Sequence, residues 1–220
     1  MPISQSSMVL RSGFPKRQSY KNMWYWIFKI PTLIILKLFF RLKVEGLENI
    51  PRKTNFIIVA NHASFLDPLV VYVAVSRKIH CIALRNLYRI FWLRWFMKMI
   101  ETLSSGSSSP KAINLLTNNR NVGLFPEGGV SRDGRLREFH RGAALLALRT
   151  GRPIVPCAIL GTYEAFPRQA KFPKFFLPIK LKIGKPVYLL KEFAELIDDI
   201  SLQKGTFRIR NAIKEMLYAG

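Results

Sequence analysis

Acidic residues are scarce in this chain. It carries 13 Asp and Glu against 35 Lys and Arg over 220 residues, a formal net charge of +22. A surface this basic calls for anionic partners: nucleic acid, anionic lipid or a phosphorylated substrate. Cysteine is scarcer still. Cys81 and Cys157 lie far apart in apolar runs, which excludes a disulfide framework, fits a reducing compartment and makes both small core hydrophobes. There are three histidines and no His-Glu-x-x-His pair or Cys/His cluster, so no zinc site is expected, nor any other metal or cofactor. The phosphate-cradling G-x-x-x-x-G-K-[ST] pattern is absent, as is the G-x-S-x-G turn that would carry a serine acyl-enzyme. No nucleic-acid-binding motif occurs, and that class of partner is not expected. No internal repeat is present.

What is present suits one large domain with a short appendage, since 49% of residues are hydrophobic. Residues 1–44 hold eight Lys and Arg and no acid. Residues 1–19 lack apolar periodicity and are read as a flexible basic tail. Residues 20–42 are apolar and aromatic, about long enough to span a bilayer, but Lys29, Pro31 and Lys37 interrupt them. Each mid-membrane charge costs about 2.5–3.5 kcal/mol on insertion scales. The segment is therefore expected as one or two membrane-associated helices in the interface, broken at Pro31, with Trp24, Tyr25 and Trp26 at headgroup depth. A span, or a helix packed on the protein's own core, are the alternatives. No small-residue cleavage site follows. The cytoplasmic face of an inner membrane is the expected location, with a plastid membrane as the alternative because the basic, acid-free start also suits a transit peptide.

From residue 43 to 220 the pattern alternates. Apolar runs at 55–60, 79–84, 121–125 and 153–160 read as buried strands, and helical stretches at 64–76, 87–100, 110–119 and 141–150 separate them. The class is α/β: a mostly parallel central sheet with helices on both faces. The Lys-alternating run 179–187 reads as an edge strand with one wet face, and a final helix covers 191–217. Ligand sites in such sheets gather beyond the carboxyl ends of strands, which singles out the loops 61–67, 126–134 and 161–178.

The first loop reads Asn-His-Ala-Ser-Phe-Leu-Asp. On a continuous helix His62 and Asp67 would lie about 140° apart, so they pair only if His62 stands outside it. Ser64 as N-cap would make Asp67 the third helical residue, with its carboxylate turned back toward His62 and Pro68 tolerated in the first turn. That carboxylate would fix the imidazole tautomer and leave the other nitrogen as a base. On these residues alone, a plain capping box is an equal reading. The second loop sets Glu127 at a Gly128–Gly129 turn, with Arg132, Arg135, Arg137 and Arg141 close behind. Exposed amides and guanidinium groups make an anion site; a Gly-rich turn before a basic solvated face is the alternative. Residues 87–99 are aromatic and basic, either an interfacial helix or acyl-pocket wall, or a core helix with snorkelling cations. The loop 163–178 mixes Phe with Lys, Arg and Pro and is read as touching the membrane. His80 and His140 have ordinary strand and helix-start explanations.

Together these loops resemble the glycerol-phosphate acyltransferase superfamily, and within it the 1-acylglycerol-3-phosphate acyltransferases. The N-H-x-x-x-x-D block is matched by Asn61, His62 and Asp67; the F-P-E-G-T-R-S-R block by Phe125, Pro126, Glu127, Gly128, Ser131 and Arg132. Phe139, Gly142 and Ala143 match a third run, and Val155 and Pro156 a late strand, so the resemblance covers about 44–190. The resemblance implies fatty-acyl transfer from acyl-CoA or acyl carrier protein to a lysophospholipid hydroxyl, giving phosphatidic acid. His62 would be the base, Asp67 its partner, and Glu127, Gly128, Gly129 and Arg132 would bind substrate. Gly129 and Val130 replace the usual Thr and Arg, and 101–109 lacks the usual second-block Arg. These departures bear on the acceptor, for which another lysophospholipid or a lipid alcohol is the alternative.

Overall fold

The computed structural model describes residues 23–83, 103–104, 108–189 and 197–219. Its centre is a seven-stranded sheet of order β1-β7-β6-β2-β5-β3-β4, made of β1 (Lys43–Glu45), β2 (Ile57–Ala60), β3 (Ile79–Ala83), β4 (Leu103–Ser104), β5 (Asn121–Leu124), β6 (Ile154–Leu160) and β7 (Lys180–Ile183). All neighbours are parallel except β6 and β7. The helices are α1 (Met23–Phe40), α2 (Asp67–Ala74), α3 (Ser108–Thr117), α4 (Gly142–Thr150), the single turn α5 (Thr162–Ala165) and α6 (Asp199–Tyr218).

Strand β2 is apolar throughout because neighbours on both sides and helices on both faces bury every residue. Ile58 and Ala60 join a core beneath α1 and α2, together with Val70, Val155, Cys157 and Leu181. Ile57 and Val59 point the other way, into a core with Leu116 of α3, Ala144 and Ala147 of α4, and Ile209 and Ile213 of α6. Both cysteines are free and buried.

Several expectations change. β7 is not an edge: β1 pairs with it in parallel, Lys43 opposite Lys180. The Lys alternation reported the half-wet face of β7 (Leu181 and Ile183 are buried) and carried no information about neighbours. The helix expected at 64–76 begins only at Asp67, with Leu66 at its N-cap and no side-chain cap; Ser64 belongs to the preceding turn. The last helix starts at Asp199, where Asp198 accepts a bond from Ser201 N at 2.8 Å. The expected tail 1–19, the helix 87–100 and most of the start of 191–217 lie outside the described residues.

The expected break at Pro31 is absent: α1 is one helix with Pro31 inside it. Proline removes a helix hydrogen bond and crowds the preceding turn, a cost of about 3 kcal/mol. Packing offsets it, because Tyr25 on one side of the proline and Leu36 and Phe40 on the other are buried against the domain. Thr32 Oγ1 also bonds the Phe28 carbonyl at 2.7 Å. The outer face of the same helix exposes Ile27, Ile30, Ile34, Ile35, Leu38 and Phe39. Among the described residues no helix is long and apolar enough to cross a membrane.

Lys29 anchors α1 from within. It is 7% exposed, its Nζ donates to the Val75 carbonyl, and it lies 5.8, 5.0 and 5.7 Å from the Tyr25, Trp26 and Tyr72 ring centres. Burial pulls its pKa from 10.5 down to about 8. Above that value the unfolded chain keeps a proton the native protein has lost, so folding stability should rise with pH. Burial lifts the Tyr72 hydroxyl to about 12, which acts in the opposite direction above pH 10. Denaturant titrations between pH 8 and 10 should therefore show increasing stability in the wild type, and this dependence should flatten in Lys29→Met.

Candidate active site

The carboxyl ends of β2 and β5, adjacent strands with Val59 opposite Leu124, launch the first two loops side by side. His62 leaves β2 just before the turn that opens α2, and Asp67 is the first residue of that helix. The His62 Nδ1 to Asp67 Oδ2 distance is 2.9 Å. The same Oδ2 accepts the amides of Ala63 and Ser64, each at 2.7 Å. Asp67 is fully buried while the His62 side chain keeps 14% of its surface. A carboxylate facing Nδ1 holds the proton there and leaves the Nε2 lone pair free.

Asn61 locks the strand end from which His62 departs. Its amide nitrogen donates to the Ile159 carbonyl at 2.9 Å, and its side-chain oxygen accepts the Ile159 N–H at 2.7 Å. The Phe125 ring stacks on the imidazole at 4.3 Å with 24° between planes.

The second loop grips the backbone of His62 on both sides. Glu127 Oε1 accepts the His62 N–H at 2.8 Å, and Ser131 N donates to the His62 carbonyl at 2.8 Å. Glu127 Oε2 accepts the Arg137 N–H at 3.2 Å. This glutamate is 2% exposed, and burial raises its pKa against the pull of the His62 and Arg137 amides. It is thus placed as a brace between loops, with both oxygens engaged inside the protein, and not as a group facing an acceptor. Gly128 takes φ +72°, and a side chain there would meet the His140 ring at 2.8 Å. Its N–H closes the turn onto the Phe125 carbonyl at 3.2 Å. Beside Gly129 nothing lies within 4 Å of where a Cβ would stand, so of the two glycines it is Gly129 that leaves open space for a ligand. Val130 is buried.

Arg132 sits farther along the same loop, exposed, with its carbonyl taking bonds from Tyr163 Oη at 3.1 Å and Gln169 Nε2 at 2.7 Å. These contacts join the third loop to the second. Ser64 Oγ reaches the third loop as well, donating to the Phe166 carbonyl at 2.6 Å. His62, Asp67, Glu127 and Gly128 therefore form one cluster, with Gly129 and Arg132 on its rim. Phe125 and Ser131, which touch His62 directly, and Arg137 beside Glu127 were visible in the sequence only as members of a motif or a basic run. Among the described residues no three His, Cys, Asp or Glu side chains gather as a cation site. A groove of about 490 Å³ beside α6, bounded by Pro156, Lys185, Arg208 and Met216, includes no residue of the first two loops.

A family model described as Acyltransferase matches residues 41–160. The chloroplastic 1-acyl-sn-glycerol-3-phosphate acyltransferase BAT2 of Brassica napus is 29% identical over 84% of this chain and 55% of its own length. The 1-acyl-sn-glycerol-3-phosphate acyltransferase of Bacillus subtilis is 32% identical over 83% of this chain and 92% of its own. The chain thus spans about half the length of the plant relative and nearly all of the bacterial one. The crystal structure of the 1-acyl-sn-glycerophosphate acyltransferase PlsC from Thermotoga maritima aligns with a TM-score of 0.63 at 30% identity, covering 80% of this chain and 71% of that one.

Holding the imidazole is the chemical task of Asp67. In Asp67→Asn the amide can present its NH2 or its oxygen to the ring, and the tautomer preference should be lost. Nitrogen-15 NMR of labelled His62 at neutral pH should show a proton on Nδ1 in the wild type and a tautomer mixture in the variant. An unchanged spectrum would reduce Asp67 to a loop cap.

Proposed function

Since the chain belongs to the acyltransferase family, we propose that it moves a fatty acyl group from an acyl thioester to the free hydroxyl of 1-acylglycerol-3-phosphate, producing phosphatidic acid for phospholipid synthesis. One observation carries this reading: an imidazole oriented by a fully buried carboxylate at 2.9 Å, whose own backbone is pinned to a Gly-rich turn by Glu127 and Ser131.

A lipid hydroxyl is a weak nucleophile at neutral pH and needs its proton removed as it attacks. Nε2 of His62 takes that proton while the hydroxyl oxygen bonds to the thioester carbonyl carbon. Asp67 stabilises the resulting imidazolium. The carbonyl oxygen gathers negative charge, for which the Gly129 amide, beside open space, is a candidate donor. Collapse breaks the carbon–sulfur bond, and the departing thiolate recovers the proton from His62. No covalent enzyme intermediate is required.

The acceptor is membrane-bound, and the outer face of α1 supplies the surface to meet it. Ile27, Ile30, Ile34 and Leu38 form an exposed stripe. Phe175 lies 5.4 and 5.7 Å from Phe39 and Phe40 and carries the stripe onto the third loop, where Phe172 and Phe176 are also exposed. Lys37, Arg41, Lys171 and Lys174 surround it, all exposed. Apolar burial with a cationic rim suits an anionic lipid interface, which we place at the cytoplasmic face of an inner membrane or at a plastid membrane. The donor is acyl-CoA or acyl carrier protein; the acidic carrier suits a chain of +22. A second acceptor reading, another lysophospholipid or a lipid alcohol, is favoured by the buried, uncharged Val130 in the middle of the turn.

Purified protein given each donor against a panel of lysolipids and monoacylglycerol should consume thioester fastest with 1-acylglycerol-3-phosphate. His62→Ala should lower that rate by about 10²–10⁴-fold with an unchanged melting temperature. A folded His62→Ala protein with wild-type turnover would remove the proposed base. Each large apolar side chain buried in lipid is worth about 1.5–3 kcal/mol, so Ile34→Asp should weaken flotation with anionic vesicles at least tenfold. Equal flotation would take α1 off the membrane.

A further inference from the structure

Helix α6 carries a pattern that packing on the core does not use. Its buried residues are Gly205, Ile209 and Ile213. On the opposite side, Ile200, Lys204, Phe207, Asn211, Lys214 and Tyr218 recur at alternating steps of four and three residues, which sets them in one row along the helix. Ile200, Phe207 and Tyr218 are 59%, 63% and 65% exposed, and both lysines are exposed as well. An exposed row with this spacing is the form in which one helix receives the amphipathic helix of a partner. An open depression of about 540 Å³, bounded by Asn211, Lys214, Glu215 and Tyr218, makes one end of the row concave.

Charge selects the partner. The row holds two lysines and no acid, and Arg208 and Lys185 stand on its flank around the groove beside Pro156. The acids of this helix lie off the row. Asp198 caps its start, accepting from Ser201 N at 2.8 Å with Lys204 nearby; Asp199 pairs with Arg141 at 2.8 Å; Glu215 borders the depression. A second copy would bring a chain of the same +22 charge against these lysines, which disfavours self-association. An acidic partner is complementary.

The row also adjoins the site. On the other flank of α6, Arg210 Nη2 pairs with Glu138 at 2.9 Å, and Arg210 Nε donates to the Arg137 carbonyl at 3.2 Å. The Arg137 N–H bonds Glu127 Oε2, and the other oxygen of that carboxylate holds the His62 N–H. Short hydrogen bonds thus tie α6 to the segment that braces the candidate base. A thioester carried on the flexible arm of a protein needs a docking face beside the site and not within it. A CoA thioester brings no protein to dock.

We propose that the outer row of α6 docks an acidic acyl carrier protein, seating one of its amphipathic helices over Phe207 between Lys204 and Lys214, and that the carrier delivers the acyl thioester from there. This rests on the acyl-transfer reading given above. The experiment offers the same acyl chain on acyl carrier protein and on CoA, each with 1-acylglycerol-3-phosphate. Reversing both lysines, Lys204→Glu with Lys214→Glu, should raise the KM for the acyl carrier at least about tenfold and leave that for acyl-CoA within about twofold. Phe207→Ala should raise the carrier KM about fivefold. The same charge change at an exposed pair ahead of β2, Arg52→Glu with Lys53→Glu, should leave both donors unaffected. All the replaced side chains are exposed, so the melting temperature should hold. An unchanged carrier KM in the lysine variant, an equal rise with acyl-CoA, or an equal rise in the Arg52 and Lys53 control would each overturn the proposal. So would weaker flotation of the lysine variant with anionic vesicles, which would make the row a lipid surface. Wild-type turnover with acyl-CoA and none with acyl carrier protein would overturn it and leave the acyl-transfer reading standing. No thioester consumption with either donor and any lysolipid would overturn both.

Discussion

A single buried carboxylate decides whether this molecule has a site at all. Glu127 sits between loops that leave adjacent strands and accepts one amide from each side, His62 at 2.8 Å and Arg137 at 3.2 Å. Burial opposes its charge and the two amides favour it, and burial is the larger influence on its pKa. Such a group is costly to bury unpaired, so the energy that stabilises the arrangement exists only when both loops are in place. The sheet makes this feasible. β2 and β5 are neighbours running the same way, so their carboxyl ends deliver His62 and Glu127 to the same rim without any long excursion of chain. Ser131 adds the return contact, N–H to the His62 carbonyl, and His62 ends up clamped through its main chain, independent of what its ring does.

The ring is then free to be positioned by other means. Asp67 holds Nδ1, but its Oδ2 also collects the amides of Ala63 and Ser64. The carboxylate therefore organises the turn and the imidazole together. Three donors converge on that one oxygen, while the buried Oδ1 has no hydrogen-bond partner among the described residues. Phe125 covers one face of the ring at 4.3 Å and limits its rotation. Orientation of the imidazole thus comes from a carboxylate, an aromatic face and two backbone anchors.

The parts legible in the sequence are those governed by local rules. The apolar runs became strands, and the five-residue separation of His62 and Asp67 already meant that the two could pair only with the imidazole outside the helix. Their pairing was readable; its means was not. Ser64 looked like the cap, yet Asp67 itself binds the loop amides, so the helix starts at Asp67, two residues beyond the start that cap implied, and the serine hydroxyl turns to Phe166. Glu127 was visible as a charged residue at a glycine turn, but which atoms would satisfy its oxygens depends on a residue 65 positions away. Pro31 and β7 failed for related reasons. Helix propensity at Pro31 was overridden by burial of Tyr25, Leu36 and Phe40. The period-2 pattern of β7 describes faces, whereas its neighbour β1 is three residues long, too short to leave a periodic trace.

The arrangement of α1 carries the last step. A helix buried on one side by Tyr25, Leu36 and Phe40 exposes Ile27, Ile30, Ile34, Ile35, Leu38 and Phe39 on the other, a grouping of the kind that marks an interaction surface. Its carboxyl end is stitched to the third loop, since Phe176 N donates to the Phe39 carbonyl at 2.6 Å and Ile179 N to the Phe40 carbonyl at 2.9 Å. That loop in turn reaches the first through Phe166, which accepts from Ser64 Oγ at 2.6 Å and lies 6.1 Å from Phe65. From the apolar stripe to the loop bearing His62, every link is a packed ring or a hydrogen bond to a backbone carbonyl. A surface that docks on lipid through α1 therefore cannot shift without carrying the loop of the base with it. If α1 docks on lipid as proposed, the height of the imidazole above the membrane follows from these links.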